Sequence, residues 1–175
     1  MRKLLIGLCL AIAVSASQAQ AAADPALVAC AIANAPGDFV AAQVESALDT
    51  KIEQGDDGSY EIVKGITLAC LSGKELPERT LMMAIGYNLE AIIRDGVRRK
   101  LEAGGYSVAP IDKFMKGVPG PGWIPDGSET TSLERATDKA VRNARGKAVQ
   151  DPALDKAARV YMSLTTMMRI FEREL

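Results

Sequence analysis

Hydrophobic residues recur at spacings of three and four along residues 77–103, with polar residues at most of the positions between them. This spacing is typical of an α-helix with one broad apolar face. Pro77 suits the first helical position, and Gly104-Gly105 ends the pattern. Because so wide a face needs neighbours on more than one side, we predict that this segment is the central helix of a bundle. Its apolar positions are Leu81, Met82, Ile85, Leu89, Ile92, Ile93, Val97 and Leu101.

Two shorter helices are predicted near the start of the chain. Asp24-Pro25 can cap and begin the first helix, which stops at Pro36-Gly37. Asp38 can cap the second helix, whose apolar stripe at four-residue steps runs through residues 39–54.

Residues 59–71 admit two interpretations. The spacing of Val63, Ile66 and Cys70 fits a helix, although Gly65 interrupts it. The alternation of Tyr60, Ile62 and Lys64 would instead allow a short strand. We favour the helix because a lone strand has no obvious partner in this chain.

A loop rich in proline and glycine, residues 117–127, follows a stretch that is irregular or briefly helical. Four glycines and three prolines among its eleven residues exclude regular structure there. Thr131 is predicted to cap the next helix, with Glu134 completing a capping box. Asp151-Pro152 begins the last helix in the same way as Asp24-Pro25 begins the first.

The last helix carries apolar residues at alternating steps of three and four over three heptads, the pattern of a coiled-coil seam. Helices inside a bundle share this period, so the seam can pack antiparallel within one chain. The alternative is a homodimer through the same side chains. The seam contains Leu154, Ala157, Tyr161, Leu164, Met168, Phe171 and Leu175.

The composition narrows the fold class. With three Phe, four Tyr and one Trp in the whole chain, the core must consist mainly of aliphatic side chains and methionine. This composition favours closely packed helices over a sheet, which draws on aromatic and β-branched residues. We therefore predict an all-α protein, a single-domain bundle of five to six helices over residues 22–175.

The N-terminal residues 1–21 have the form of a secretory signal peptide. Arg2-Lys3 precedes an apolar run over residues 4–14, and Ala19-Gln20-Ala21 offers a cleavage site. The apolar run is shorter than the roughly 20 residues that span a bilayer, although an uncleaved N-terminal anchor is an alternative. The bacterial style of this leader predicts export to the periplasm or beyond the cell.

The two cysteines outside the leader are expected to form a disulfide. Cys30 and Cys70 are an even pair in a chain predicted to enter an oxidising compartment. Two buried free thiols are one alternative. The other is a lipoprotein, because residues 27–30 have the form of a lipobox that would acylate Cys30.

Charge and residue usage exclude several functions. Removal of the leader lowers the basic residues from 21 to 19 against 22 acidic ones, a net charge of −3, and this balance is unlike that of a nucleic-acid-binding domain. The chain contains no histidine, which removes His-based triads, imidazole metal sites and the commonest general base. No pattern indicates a cofactor or a metal site, since Asp56-Asp57 lacks the spacing of a calcium loop.

Two groups of charged residues on the central helix are candidate sites. Glu90 lies among apolar neighbours and is a weak catalytic candidate, because burial would raise its pKa as a general acid requires. Arg94 lies one turn away and is expected to pair with it at the surface. A basic patch that could meet an anionic group contains Arg94, Arg98, Arg99 and Lys100, although Asp95 and Glu102 dilute it.

Trp123 and Ile124 are the best candidates for a partner-binding anchor. Large apolar side chains are costly to leave in water, so they either fold back onto the bundle or face a partner. The leading hypothesis is a small exported envelope protein that binds another protein without catalysis. The alternatives are a carboxylate-dependent hydrolase or lyase acting on envelope polysaccharide, and a membrane-associated lipoprotein held through Cys30.

Overall fold

The computed structural model describes residues 23–49, 58–119 and 127–174 of the 175-residue chain. These residues form seven α-helices and no β-strand. The predicted all-α class is therefore confirmed. The helices are α1 Pro25–Asn34, α2 Gly37–Leu48, α3 Ser59–Leu71, α4 Glu78–Ala103, α5 Ala109–Gly117, α6 Gly127–Arg145 and α7 Pro152–Glu174. The predicted leader, residues 1–21, lies outside the described residues.

The predicted count of five to six helices was slightly too low, because the stretch that forms α5 was predicted to be irregular or briefly helical and was not counted. Pro110 occupies the first turn of α5, where its fixed φ is compatible with a helix. Ile111 and Met115, four residues apart, are buried on one face. For residues 59–71 the helix is confirmed, and the strand alternative is wrong.

Two helix caps match the expectation and three boundaries differ. The Oδ1 atoms of Asp24 and Asp151 accept hydrogen bonds from the backbone N–H of Ala26, at 2.9 Å, and of Ala153, at 2.8 Å. Helix α2 begins at Gly37, so Asp38 lies in its first turn and does not cap it. The same helix ends at Leu48 rather than near residue 54, and Asp49 adopts an extended conformation with ψ 130°. Helix α6 begins at Gly127, so Thr131 lies inside the helix and does not cap it.

Helix α4 is the centre of the bundle, as predicted. It packs against α1, α2, α3 and α7, and α5 and α6 are attached at the side of α7. Its buried residues extend beyond the predicted apolar set, since Tyr87 and Asn88 are buried while Met82 is 54% exposed. The Nδ2 of Asn88 donates to Oγ1 of Thr67 at 3.0 Å, whereas its Oδ1 is buried without a hydrogen-bond partner among the described residues.

Three glycines let the neighbouring helices approach α4 closely. The side chains that lie over them are Phe171 over Gly86, Val40 and Val44 over Gly96, and Leu154 over Gly104. A Cβ atom at any of these positions would overlap the side chain that packs there. The absence of side chains at these points therefore sets the distance of α2 and α7 from α4.

The disulfide joins α1 to α3. The sulfur atoms of Cys30 and Cys70 lie 2.06 Å apart, with their Cα atoms 5.9 Å apart, which is normal disulfide geometry. Cys30 and Cys70 therefore lie at disulfide distance, as the predicted pairing requires. A second, smaller core cluster lies at this end of the bundle and contains Leu27, Leu71 and Ala84.

The seam of α7 is used inside the chain. Tyr161 and Leu164 are buried, and Leu154 and Phe171 pack on the glycines at 104 and 86. Helix α7 makes its largest interface with α4. A homodimer through Leu154, Tyr161, Leu164, Met168 and Phe171 would have to break these contacts.

In the described residues, no single helix is long and apolar enough to cross a membrane. The pair α1 and α2, bent by 103° at its break, passes that test by length and composition alone. Both helices pack against α4, with Leu27, Ala31, Val40 and Val44 among their buried residues.

Gly96→Ala should destabilise the protein, because the new Cβ would lie 2.5 Å from Cγ2 of Val44 and 2.9 Å from Cγ1 of Val40. Overpacking of this kind costs about 1–3 kcal/mol. Gly65 in α3 is the matched control, since a Cβ there meets nothing within 4 Å. Gly65→Ala should stabilise by up to about 1 kcal/mol through helix propensity. Urea unfolding measures both; a stabilising Gly96→Ala would contradict the close approach of α2.

Reduction of the Cys30–Cys70 bond, which closes a sequence separation of 40 residues, should lower the free energy of unfolding. The chain-entropy relation gives roughly 4 kcal/mol for a loop of this length. Thermal unfolding with and without a reductant measures the change, and Cys30→Ser/Cys70→Ser should reproduce the reduced curve. An unchanged midpoint after reduction would show that the bond does not constrain the unfolded chain.

Candidate functional site

Arg94 is at the junction of three helices and does not lie in a surface patch. From α4, its Nε donates to Oγ1 of Thr165 at 2.8 Å. Its Nη2 donates to Oδ1 of Asp112 at 3.1 Å and to the hydroxyl of Tyr161 at 2.6 Å. The guanidinium carbon also lies 4.5 Å from the centre of the Tyr161 ring, a cation–π distance. We call Arg94, Asp112, Tyr161 and Thr165 the Arg94 cluster.

The other members of the Arg94 cluster are also hydrogen-bonded to one another. The Tyr161 hydroxyl donates to Oδ1 of Asp112 at 3.0 Å, and Oγ1 of Thr165 donates to the carbonyl oxygen of Tyr161 at 2.8 Å. Burial raises the pKa of Tyr161 to about 12, so its hydroxyl keeps its proton at neutral pH. The cluster ties α5 and α7 to the central helix.

An open cleft with a volume of about 500 Å³ lies beside the Arg94 cluster, between α4, α5 and α7. Arg169 is held in it because its Nη1 donates to the carbonyl oxygens of Met115, at 3.0 Å, and Val118, at 3.1 Å. Oε1 of Glu172 accepts from the Tyr87 hydroxyl at 2.7 Å. We call this cleft the Arg169 cleft; its lining residues are Arg94, Asp112, Met115, Lys116, Thr165, Arg169 and Glu172.

A second depression, which we call the α5/α6 groove, is mainly apolar. One part of about 440 Å³ lies over Phe114, Ala136 and Ala140. A second part of about 380 Å³ continues over Val118 and Leu133. The small side chains of α6 create this space, because alanine at positions four apart leaves the Phe114 ring uncovered. Lys113, Lys139 and Asn143 also line the groove.

Glu90 does not pair with Arg94, and that expectation was wrong because the Arg94 guanidinium is directed to α5 and α7. Oε2 of Glu90 is buried and has no hydrogen-bond partner among the described residues. Burial raises the pKa of Glu90, as a general acid would require. Glu90 is not part of the lining of the Arg169 cleft.

The four residues of the predicted basic patch differ in their contacts. Arg94 belongs to the Arg94 cluster. Arg98 lies 2.6 Å from Asp95 and 2.9 Å from Glu102, and Arg99 lies 2.7 Å from the second oxygen of Asp95. Exposed Lys100 is the member of the patch that makes no ion pair with a described residue.

Trp123 and Ile124 lie outside the described residues, and their role as an anchor stays a prediction. The described end of their loop, Gly117 to Pro119, lines the α5/α6 groove. Within the described part of the chain, no group of three or more Cys, Asp or Glu side chains is arranged to hold a metal ion. Comparison with protein-family models, curated proteins and solved structures finds no match.

No pattern along the chain marks Asp112, Lys116 or Arg169 as members of one site. They come from α5 and α7, and the packing of these two helices against each other brings them together. The sequence pattern places Tyr161 in the apolar seam, but its hydroxyl makes it part of the Arg94 cluster. A hint of this role in the sequence is Thr165, one turn further along α7, because a second polar residue on that face indicates a polar contact.

Glu90→Gln should stabilise the protein at neutral pH. Since burial raises the pKa of Glu90 above 4.5, the carboxylate form is disfavoured in the folded state. The stability of the wild type therefore falls as the pH rises from 4.5 through the raised pKa, and the neutral amide avoids this loss. Urea midpoints should agree at pH 4 and separate at pH 7.

The matched control is Glu134→Gln on α6, where the side chain is exposed. Its urea midpoint should follow that of the wild type at both pH values. A Glu90→Gln variant that is less stable at pH 7 than at pH 4, relative to the wild type, would show that the Glu90 carboxylate has a partner when it is charged.

Proposed function

We propose that this chain is a small exported protein of the bacterial envelope that acts by binding another protein, without catalysis. The observation that carries the proposal is the α5/α6 groove, an apolar depression at the surface with two lysines in its lining. Exposed apolar surfaces of this kind are typical of interaction sites.

The occupant that fits the groove is a partner segment with apolar side chains flanked by acidic ones. Phe114, Ala136 and Ala140 offer an apolar floor. Lys113 and Lys139 form no ion pair with any described residue, so carboxylates of the partner can pair with them. The nine residues of α5 extend about 13 Å, the length of two to three turns of a bound helix.

Trp123 with Ile124 is proposed as a second anchor of the same surface. Their loop begins at the edge of the groove, where Val118 and Pro119 belong to the lining. Trp is favoured in binding hot spots, and the prolines of the loop reduce the conformational entropy lost on docking. Both residues would then contact the segment that occupies the groove.

Export is supported by the leader-like N-terminal sequence and by the Cys30–Cys70 bond. A disulfide persists in an oxidising compartment such as the periplasm. The bond also uses the thiol of Cys30 that acylation would require, so the disulfide and the lipoprotein hypothesis exclude one another in a single molecule.

The second candidate is a carboxylate-dependent hydrolase or lyase acting on envelope polysaccharide, with Glu90 as the acid. The raised pKa of Glu90 favours it. Asp112 and Glu172, which line the Arg169 cleft, are the second carboxylates that this candidate would require. Loss of polysaccharide cleavage in the folded Glu90→Gln variant would support this candidate over a binding module.

Charge reversal in the groove tests the leading proposal. A photo-cross-linking amino acid at Ala136 should capture a partner in the envelope, and the same probe at exposed Ala29 on α1 should not. Lys113→Glu/Lys139→Glu should reduce the yield by about tenfold or more, since attraction to acidic residues becomes repulsion. Lys100→Glu, outside the groove, is the control. With the probe at Ala136, equal cross-linking yields from the wild type, Lys113→Glu/Lys139→Glu and Lys100→Glu would refute the groove as the binding site.

Trp123→Ala extends the same experiment to the loop. It should reduce the cross-linking yield from Ala136 while leaving the thermal midpoint nearly unchanged, because a partner-facing indole adds little to folding. A large loss of stability with an unchanged yield would place Trp123 in the core and remove it from the proposed surface.

A further inference from the structure

The Arg169 cleft contains charged groups of both signs that the fold leaves without charged partners. Lys116, Arg169 and Glu172 line it, and none of these three side chains forms an ion pair with a described residue. Arg94 and Asp112, by contrast, already form an ion pair with each other at 3.1 Å. The cleft therefore offers two cations and one acid for a ligand.

Arg169 is oriented in advance for a carboxylate. Its Nη1 donates both hydrogens to the carbonyl oxygens at the end of α5. This leaves Nε and Nη2, the edge of the guanidinium that grips a carboxylate with two parallel hydrogen bonds. Because the backbone fixes the guanidinium, little side-chain entropy is lost on binding.

Glu172 supplies the negative charge of the cleft. Oε1 accepts from the Tyr87 hydroxyl at 2.7 Å, and Oε2 has no hydrogen-bond partner in the described part of the chain. Burial is the main cause that raises the pKa of Tyr87, so this phenol remains a donor and keeps the carboxylate in place. Residues three apart on a helix have Cβ atoms about 5–6 Å apart, so Arg169 and Glu172 face the same part of the cleft.

We propose that the Arg169 cleft binds a small dipolar molecule of the amino-acid or short-peptide class. Its carboxylate would bind Arg169 and Lys116, and its ammonium group would bind Glu172. A simple anion would meet Glu172 and Asp112, and a simple cation would meet Arg169 and Lys116, so the cleft disfavours both. Its volume of about 500 Å³ is within the usual range for small-ligand sites and exceeds the size of a dipeptide.

The test is an NMR titration of the exported chain with L-alanyl-L-alanine and with free L-alanine. N-acetyl-L-alanine, which lacks the ammonium group, and L-alanine amide, which lacks the carboxylate, are the matched single-charge probes. Saturable shifts of the backbone amides of Met115, Thr165 and Arg169 are expected for a dipolar probe. Its Kd should be at least about tenfold lower than that of either single-charge probe, as the loss of one charge-assisted hydrogen bond predicts.

Variants test the negative and the positive groups of the cleft separately. Glu172→Gln should raise the Kd of L-alanyl-L-alanine by about tenfold or more and leave the weak binding of N-acetyl-L-alanine unchanged or improved. Lys116→Gln should weaken the binding of both probes. This variant leaves Arg169 unchanged, so the bonds that Arg169 makes to the end of α5 are kept. Lys113→Gln changes the α5/α6 groove alone and should have no effect on either.

The outcomes are distinct. A dipolar probe that binds at least about tenfold more tightly than both single-charge probes supports the proposal, and the comparison of alanine with the dipeptide then identifies the member of the class. Single-charge probes that bind as tightly as the dipolar probes, or the absence of saturable shifts, would overturn it. Neither result bears on the α5/α6 groove, whose test reports covalent capture of a protein.

Discussion

The structure depends on how one charged side chain is satisfied at the edge of the core. Arg94 lies on the helix that all the early helices and α7 contact, and its guanidinium, with 28% of the side chain exposed, needs partners where it leaves water. It is stabilised by the carboxylate of Asp112, the hydroxyls of Tyr161 and Thr165, and the face of the Tyr161 ring. Because Asp112 belongs to α5, satisfying Arg94 also fixes the short helix that separates the Arg169 cleft from the α5/α6 groove.

The spacing of apolar residues was sufficient to predict the long helices, because α4 and α7 repeat the pattern over many turns. Local sequence was also sufficient to predict the caps at Asp24 and Asp151, since Asp before Pro is a common start of a helix. The pairing of Cys30 with Cys70 was predictable because they are the two cysteines outside the leader. Helix α5 was predicted only as irregular or briefly helical, because nine residues with a proline carry too short a pattern. It is held by the burial of Ile111 and Met115 and by the bonds of Asp112 and Arg169 that join it to distant parts of the chain.

The candidate site was much less predictable than the fold. Glu90 and Arg94 are four residues apart, and local rules favour a surface pair between them. The structure gives Arg94 better partners on α5 and α7, which leaves Oε2 of Glu90 buried without one. The choice between these arrangements depends on contacts across 18 to 71 positions of the chain, and no local pattern contains that information.

The two proposed sites share α5, and Arg169 connects them. The Nη1 of Arg169 donates to the carbonyl oxygen of Val118, a residue that lines the groove. The Nε and Nη2 atoms of the same guanidinium remain available to the cleft. A ligand changes a second site only if it binds two states of the protein with different affinity. A carboxylate on the Nε and Nη2 edge would leave the two Nη1 bonds unbroken. The proposed ligand can therefore occupy the cleft without breaking the contacts by which Arg169 holds the end of α5 beside the groove.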